Sequence, residues 1–442
     1  MAPDTNAAQR GSMDLLRFAT AGSVDDGKST LIGRLLLDSK AIFEDQLEAV
    51  EATSHSKGYD YTDLALLTDG LRSEREQGIT IDVAYRYFST ARRKFIIGDA
   101  PGHEQYTRNM VTAASSADAA VVLVDATKLR WSGDSEASES HTLLPQTRRH
   151  SLLVNLLRVP SVVFAINKLD AVPDAARAFG NIRRALEAFA RSAGITVTAI
   201  VPVSALNGNN VVDAAPGWAD YQGPGLLQIL EALPSTPSEA DTPLAFPVQW
   251  VEKFSSSADT DKGRRVFWGR VATGSVAPGQ QVAVLPGGQT ATVVQVLDHT
   301  RQSGPVAAGR SAGIVLDREV DVSRGDWLLA HDGDKPLFEA TQNLRATIAW
   351  LDEEPLVEGR TYWAVHGHRW VKARVARITH RLDVHTLARD AAGSLETNAI
   401  GEVELVLQAP IAQLPYHQSR TLGALVLVDT ASHRTAGAAL LH

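Results

Sequence analysis

Four short stretches carry residues that could bind and hydrolyse a nucleotide. Gly22, Ser23, Val24, Asp25, Asp26, Gly27, Lys28, Ser29 and Thr30 contain the pattern G-x-x-x-x-G-K-[S/T]. Such a loop wraps phosphates: its glycines allow backbone angles that a side chain would block, and its amides point at phosphate oxygens. Lys28 would bridge the β- and γ-phosphates, and the Ser29 hydroxyl would ligate Mg²⁺. Asp99, Ala100, Pro101, Gly102 and His103 begin at the C-terminal residue of the run FIIGD. An acid there can hold Mg²⁺ through water, and the Gly102 amide can meet a γ-phosphate. His103 is then placed to position the attacking water.

Two further stretches could read a base. In Asn167-Lys168-Leu169-Asp170, the Asp170 carboxylate can accept from guanine N1–H and the N2 amino group, a pair that adenine lacks. Asn167 would reach the other edge of the base while the Lys168 stem packs over the ring. Ser204-Ala205-Leu206 can present a backbone amide to guanine O6. Between the first two stretches, Glu74–Phe88 holds Thr80 shortly after Gly78. Thr80 could bring a hydroxyl to Mg²⁺ when γ-phosphate is present. The predicted catalytic set is Lys28, Thr80 and His103, with Ser29, Thr80 and Asp99 around Mg²⁺. These elements in this order point to GTP.

The chemistry requires a sheet whose strand ends gather along one edge. Apolar runs at Phe95–Asp99, Ala119–Ala126, Ser161–Asn167 and Val197–Ala205 alternate with helical stretches at Gln146–Arg158 and Asp174–Gly194. That alternation predicts βαβ units with helices on both faces of a mostly parallel sheet. Right-handed crossovers then bring the loops after each strand together. Leu233–Phe246 is rich in Pro, Ser and Thr and reads as a linker. Beyond it, short β-branched runs with Pro-Gly turns predict one antiparallel barrel, and a break at His331–Ala340 precedes a second. The expected division is a flexible N-terminus (1–14), a GTP-binding domain (15–236) and two β-barrels (243–332 and 338–442).

The 442 residues carry a net charge of −8, with 44% hydrophobic and 21% charged residues and no cysteine. Cys-based nucleophiles, disulfides and Cys-ligated metals are excluded, and no nucleic-acid partner is expected. No run has the length and apolarity of a secretory signal core or a membrane span, so the expectation is a cytoplasmic protein without a membrane partner. His366-Gly367-His368, among Arg and Trp, reads as a structural or surface pair and not as a metal site.

The motifs GSVDDGKST, EREQGIT, DAPGH, NKLD and SAL, followed by two barrels, resemble those of the translation-factor class of GTPases. Within that class, Asp63–Thr90, Lys94–Met110 and Gln146–Pro160 resemble the GTP-binding large subunits of bacterial heterodimeric sulfate adenylyltransferases, as do Val320–Ala330 and Leu351–Trp363. The resemblance implies a GTPase that drives formation of adenosine 5′-phosphosulfate and diphosphate from ATP and sulfate. The partner would be a small ATP- and sulfate-binding catalytic subunit. This chain shows no second phosphate loop for ATP, and the adenylylsulfate kinase fused to some relatives is not expected in it. Asp125–Gln146 is longer than the resemblance predicts. Two alternatives share parts of this pattern: a factor delivering aminoacyl-tRNA, and a GTP-dependent scaffold without catalysis.

Overall fold

The computed structural model describes residues 14–42, 44–56, 62–67, 83–103, 107–129, 143–236, 239–253, 265–333, 335–383 and 386–442. Thr80, Gly78, residues 1–13 and positions 130–142 of the long segment after Asp125 lie outside these. The chain divides into two compact units after Thr236.

The first unit is an α/β domain. Its elements run β1 (Leu15–Ala21), α1 (Lys28–Asp38), α2 (Glu44–Ser56), β2 (Ala84–Ser89), β3 (Lys94–Asp99), α3 (Thr107–Ser115) and β4 (Ala119–Asp125). They continue as α4 (Pro145–Leu156), β5 (Ser161–Asn167), α5 (Ala175–Ser192), β6 (Val197–Pro202) and α6 (Leu226–Ala232). The sheet order is β2-β3-β1-β4-β5-β6. All neighbours are parallel except β2, which runs antiparallel along β3. The expectation of a mostly parallel sheet holds, with one difference. Ala84–Phe88, read as the tail of a switch segment, is part of this edge strand.

Burial explains the strand sequences. Every residue of β4 and β5 is buried, as a strand covered by helices on both faces requires. Phe88 stacks on Phe95 at 4.6 Å and Phe18 meets Phe95 edge-on at 6.4 Å, filling the space beneath β1–β3. Helix α5 buries Phe179, Ile182, Leu186 and Phe189, a helical stripe. Asp174 caps that helix by accepting from the Arg177 amide at 3.0 Å. The domain's end is tied back by Asp118, which accepts from Arg17 N at 2.8 Å and from Thr236 N at 3.0 Å.

The second unit holds two antiparallel barrels. In the first, Gln281–Leu285, Thr290–Leu297, Ser311–Leu316, Arg265–Arg270, Ala245–Lys253 and Trp327–Asp332 pair in that order, and the last closes on the first. In the second, Thr361–His366, Ala424–Asp429, Thr435–Leu441, Ala340–Trp350, Ile400–Ala412 and Arg369–Leu382 close likewise. Each has its own apolar core. Between them, Trp327 packs on His366 with ring centroids 5.2 Å apart. The His366 Nε2–H donates to Leu422 O at 3.1 Å, and Arg369 pairs with Asp326 at 2.9 Å. His366 is therefore a buried structural residue, as its setting in the sequence predicts.

Candidate functional site: a phosphate loop at the edge of the sheet

Strand β1 delivers the chain to Gly22, and α1 takes it up at Lys28. The turn between them needs two residues in the left-handed region, Asp25 at φ 60° and Gly27 at φ 91°. At Gly27 a side chain is also sterically excluded, since a Cβ would lie 2.4 Å from Asn167 Nδ2. Asp26 closes the turn from inside: its Oδ2 accepts from Ser23 N at 2.6 Å. Burial raises the Asp26 pKa against the opposing pull of Lys128 and Lys28. The first turn of α1 then aims its unpaired amides at whatever occupies the loop.

Lys28 is buried, and its ammonium donates to Gly22 O at 3.0 Å and Ser23 O at 2.8 Å. Burial pulls its pKa down, while the Asp99 and Asp26 carboxylates oppose that pull. Asp99, at the end of β3, is itself buried and accepts from Thr20 Oγ1 at 3.1 Å. Gly102 passes so close to Lys28 that a Cβ there would lie 2.5 Å from Nζ. A cleft of about 250 Å³ opens between these loops, lined by Val24, Asp25, Gly27, Lys28, Ser29, Thr30, Ala65, Gly102, His103 and Lys168. The predicted phosphate-handling residues of two separate motifs therefore share one cavity with His103.

The predicted base-reading residues lie at the ends of β5 and β6. Asn167, expected at an edge of the base, uses its amide on protein: Nδ2 donates to Asp26 O at 2.8 Å, and Oδ1 accepts from Ala205 N at 3.0 Å. One N–H and one lone pair remain to it. Ser204 N donates to Asn209 O at 3.1 Å. A guanine O6 here would thus meet the amide of Leu206 or share that of Ala205 with Asn167. Lys168, at φ 62°, reaches Asp25 O at 2.5 Å and Asp125 Oδ2 at 2.8 Å. Asp170 is exposed, in the short turn Leu169–Ala171.

Other residues around the loop were not singled out in the sequence. Lys128 donates to Val24 O and pairs with Asp26 at 3.1 Å. Burial would raise the Asp125 pKa, but hydrogen bonds from Lys168 and Thr127 outweigh it and hold the carboxyl below its ordinary value. Gln146 and His150, one helical turn apart on α4, reach the Gly102 carbonyl and the Gly22 amide. Their spacing of four was the available signal, but nothing local says which loop a helix face will meet.

Known proteins carry the same pattern. Residues 13–239 match the Elongation factor Tu GTP binding domain, and residues 343–442 match the GTP-eEF1A C-terminal domain-like family. The chain is 43% identical to sulfate adenylyltransferase subunit 1 of Laribacter hongkongensis, over 98% of its own length and 86% of that protein's. The chain belongs to the sulfate adenylyltransferase subunit 1 family. A second subunit 1, from Aeromonas hydrophila, is 44% identical over 97% of the chain and 86% of that protein. The bifunctional enzyme CysN/CysC of Xylella fastidiosa is 45% identical over 97% of the chain, which spans 65% of that longer protein. The chain is thus a GTPase, and its resemblance to sulfate adenylyltransferase subunit 1 holds over nearly its whole length.

Proposed function

We propose that this chain binds GTP in the cleft between Gly22–Thr30 and Asp99–His103, and that its hydrolysis drives formation of adenosine 5′-phosphosulfate and diphosphate from ATP and sulfate. The adenylyl transfer belongs to a separate, smaller subunit that binds ATP and sulfate. A cytoplasmic setting fits, and no helix among the described residues is long and apolar enough to cross a membrane.

The observation that carries this reading is the buried Lys28 ammonium facing the same cavity as Ser29, Gly102 and His103. Its hydrogen bonds among the described residues go to loop carbonyls, so it gains much from an arriving polyphosphate. The loop amides take the phosphate oxygens, and Gly102 offers its amide to the γ-phosphate. His103 orients the attacking water. The donor set suits Mg²⁺, since Ser29 and Asp99 supply hard oxygens beside the phosphate position; Thr80 is the further candidate ligand. When bound, the ion would offset the charge of the phosphate oxygens as the γ-phosphoryl group transfers. Lys168 and Asp170 read the guanine, with Asn167 and the Ser204–Leu206 loop completing the pocket.

Base choice provides the test. Asp170→Asn places a donor where guanine already has one, leaving unpaired polar groups in the pocket. A site built to pair polar groups rejects a mismatched base by roughly 10⁴–10⁵-fold. Xanthine carries a carbonyl in place of the N2 amino group, so the variant should lose GTP and gain XTP in competition binding. An unchanged preference for GTP removes Asp170 from the base site.

A further inference from the structure

A hydrogen-bonded chain enters the phosphate loop from helix α4. The Gly22 N–H donates to His150 Nδ1 at 3.1 Å. On the other side of the ring, the Gln146 amide group lies 2.8 Å from His150 Nε2, and the same amide atom lies 3.4 Å from Gly102 O. The remaining Gln146 amide atom faces Arg149 Nη1 at 3.2 Å. His150 is fully buried, and Gln146 is half-buried on the first turn of the helix.

These contacts cannot all be made at once. If Nδ1 accepts from Gly22, a neutral ring carries its proton on Nε2, and the atom facing it must be the Gln146 oxygen. That oxygen then faces the Gly102 carbonyl with nothing to donate. If Gln146 instead turns its NH₂ toward Gly102 O, it also donates to His150 Nε2. The ring proton moves to Nδ1 and the Gly22 bond is lost. A charged ring would free neither arrangement and is strongly disfavoured: burial, with Lys28 and Arg149 nearby, lowers the His150 pKa to about 3. Two arrangements remain: one engages Gly22 and gives up the Gly102 and Arg149 contacts, and the other engages Gly102 while Arg149 Nη1–H donates to the Gln146 oxygen at 3.2 Å.

Both ends of this chain border the cleft. Lys28 holds the Gly22 peptide by its carbonyl, and Gly102 packs against the Lys28 ammonium. A phosphate that draws Lys28 off Gly22 O leaves His150 holding the same residue from its other side, by the Gly22 N–H. We infer that Gln146 and His150 are positioning residues for GTP hydrolysis, setting the phosphate loop and the Asp99–His103 loop against each other by exchanging Gly22 for Gly102. This rests on the reading of the cleft as the GTP site.

The test uses the full chain with its partner subunit, mant-GDP and mant-GppNHp binding, and single-turnover GTP hydrolysis. Gln146→Glu can only accept, so it keeps the Gly22 end and loses the Gly102 end. Hydrolysis should slow by roughly 10–100-fold, as expected for misplaced reacting groups, while the mant-GDP Kd stays within about threefold. His150→Asn sets an amide oxygen near the Nδ1 position and should bind mant-GDP about as wild type does; His150→Leu should bind about tenfold more weakly. A packing role predicts the reverse order, because Leu suits a buried apolar site better than Asn. Hydrolysis by Gln146→Glu within twofold of wild type, or Leu binding as well as Asn, overturns the inference. If wild type binds neither analogue, or Lys28→Ala binds both as tightly, the reading of the cleft falls and the inference with it.

Discussion

At the residue scale, the phosphate loop is held from outside as well as from within. Lys128 and Lys168 both pair with the buried Asp125, at 3.8 and 2.8 Å, and each reaches a loop carbonyl, Val24 O or Asp25 O. Lys128 also pairs with Asp26, whose other oxygen holds Ser23 N. Removing Lys128 leaves a buried carboxylate and a carbonyl short of a donor, at a cost of about 1–3 kcal/mol. Lys128 is partly exposed, so the lower end of that range applies. Lys128→Met should therefore release mant-GDP about tenfold faster in stopped-flow measurements, with Lys128→Arg recovering part of the difference. An unchanged release rate would show that the clamp contributes nothing to nucleotide retention. His103→Ala should behave differently: GTP binding retained and hydrolysis lost, because its proposed role arises only in the transition state. Weakened GTP binding in that variant would place His103 in ground-state recognition instead.

At the element scale, Gly33 sets two rules against each other. Glycine inside a helix costs about 1 kcal/mol relative to alanine, so propensity alone predicts that Gly33→Ala stabilises α1. The structure predicts the opposite sign, because a Cβ at Gly33 would lie 2.3 Å from Leu64 O, a backbone atom of the turn packed on the helix. Overpacking of this kind costs about 1–3 kcal/mol. The urea midpoint should fall, and a rise would mean that the turn yields freely. This contrast also marks what the sequence could and could not convey. β4 and β5 were readable because a strand covered on both faces must be apolar throughout, and the motif loops because each follows a largely apolar strand. The Gly33–Leu64 approach, the double engagement of Asn167 and the reach of His150 to Gly22 depend on which elements meet in space. No periodicity encodes that. Lys128 and Asp125 escaped notice because paired charges look like ordinary surface residues until the buried carboxylate and the partly exposed lysine are seen together against the loop.

At the scale of the whole molecule, two buried neutral histidines, one in each unit, link stability to pH. Burial lowers His150 to about 3 and His366 to about 4, the latter only partly offset by its bond to Leu422 O. The unfolded chain takes up a proton at each near pH 6.5, and the folded chain does not. Stability is therefore full above about pH 6.5 and falls as the pH drops below it, by up to ~1.4 kcal/mol per pH unit per histidine. Urea midpoints should decline between pH 6.5 and 5, before most carboxylates titrate, and a flat midpoint across that range would contradict both assignments. The Trp327–His366 contact has an optical consequence as well. A protonated imidazole quenches the emission of an indole it touches far more strongly than a neutral one. As long as the seam between the barrels stays closed, His366 stays neutral and Trp327 emits from a dry, apolar setting. Acid that opens the seam both charges the ring and wets the indole, so emission should dim and shift red together. The chain holds eight tryptophans, so the seam's lamp is read as the difference between wild type and Trp327→Phe, without any added dye.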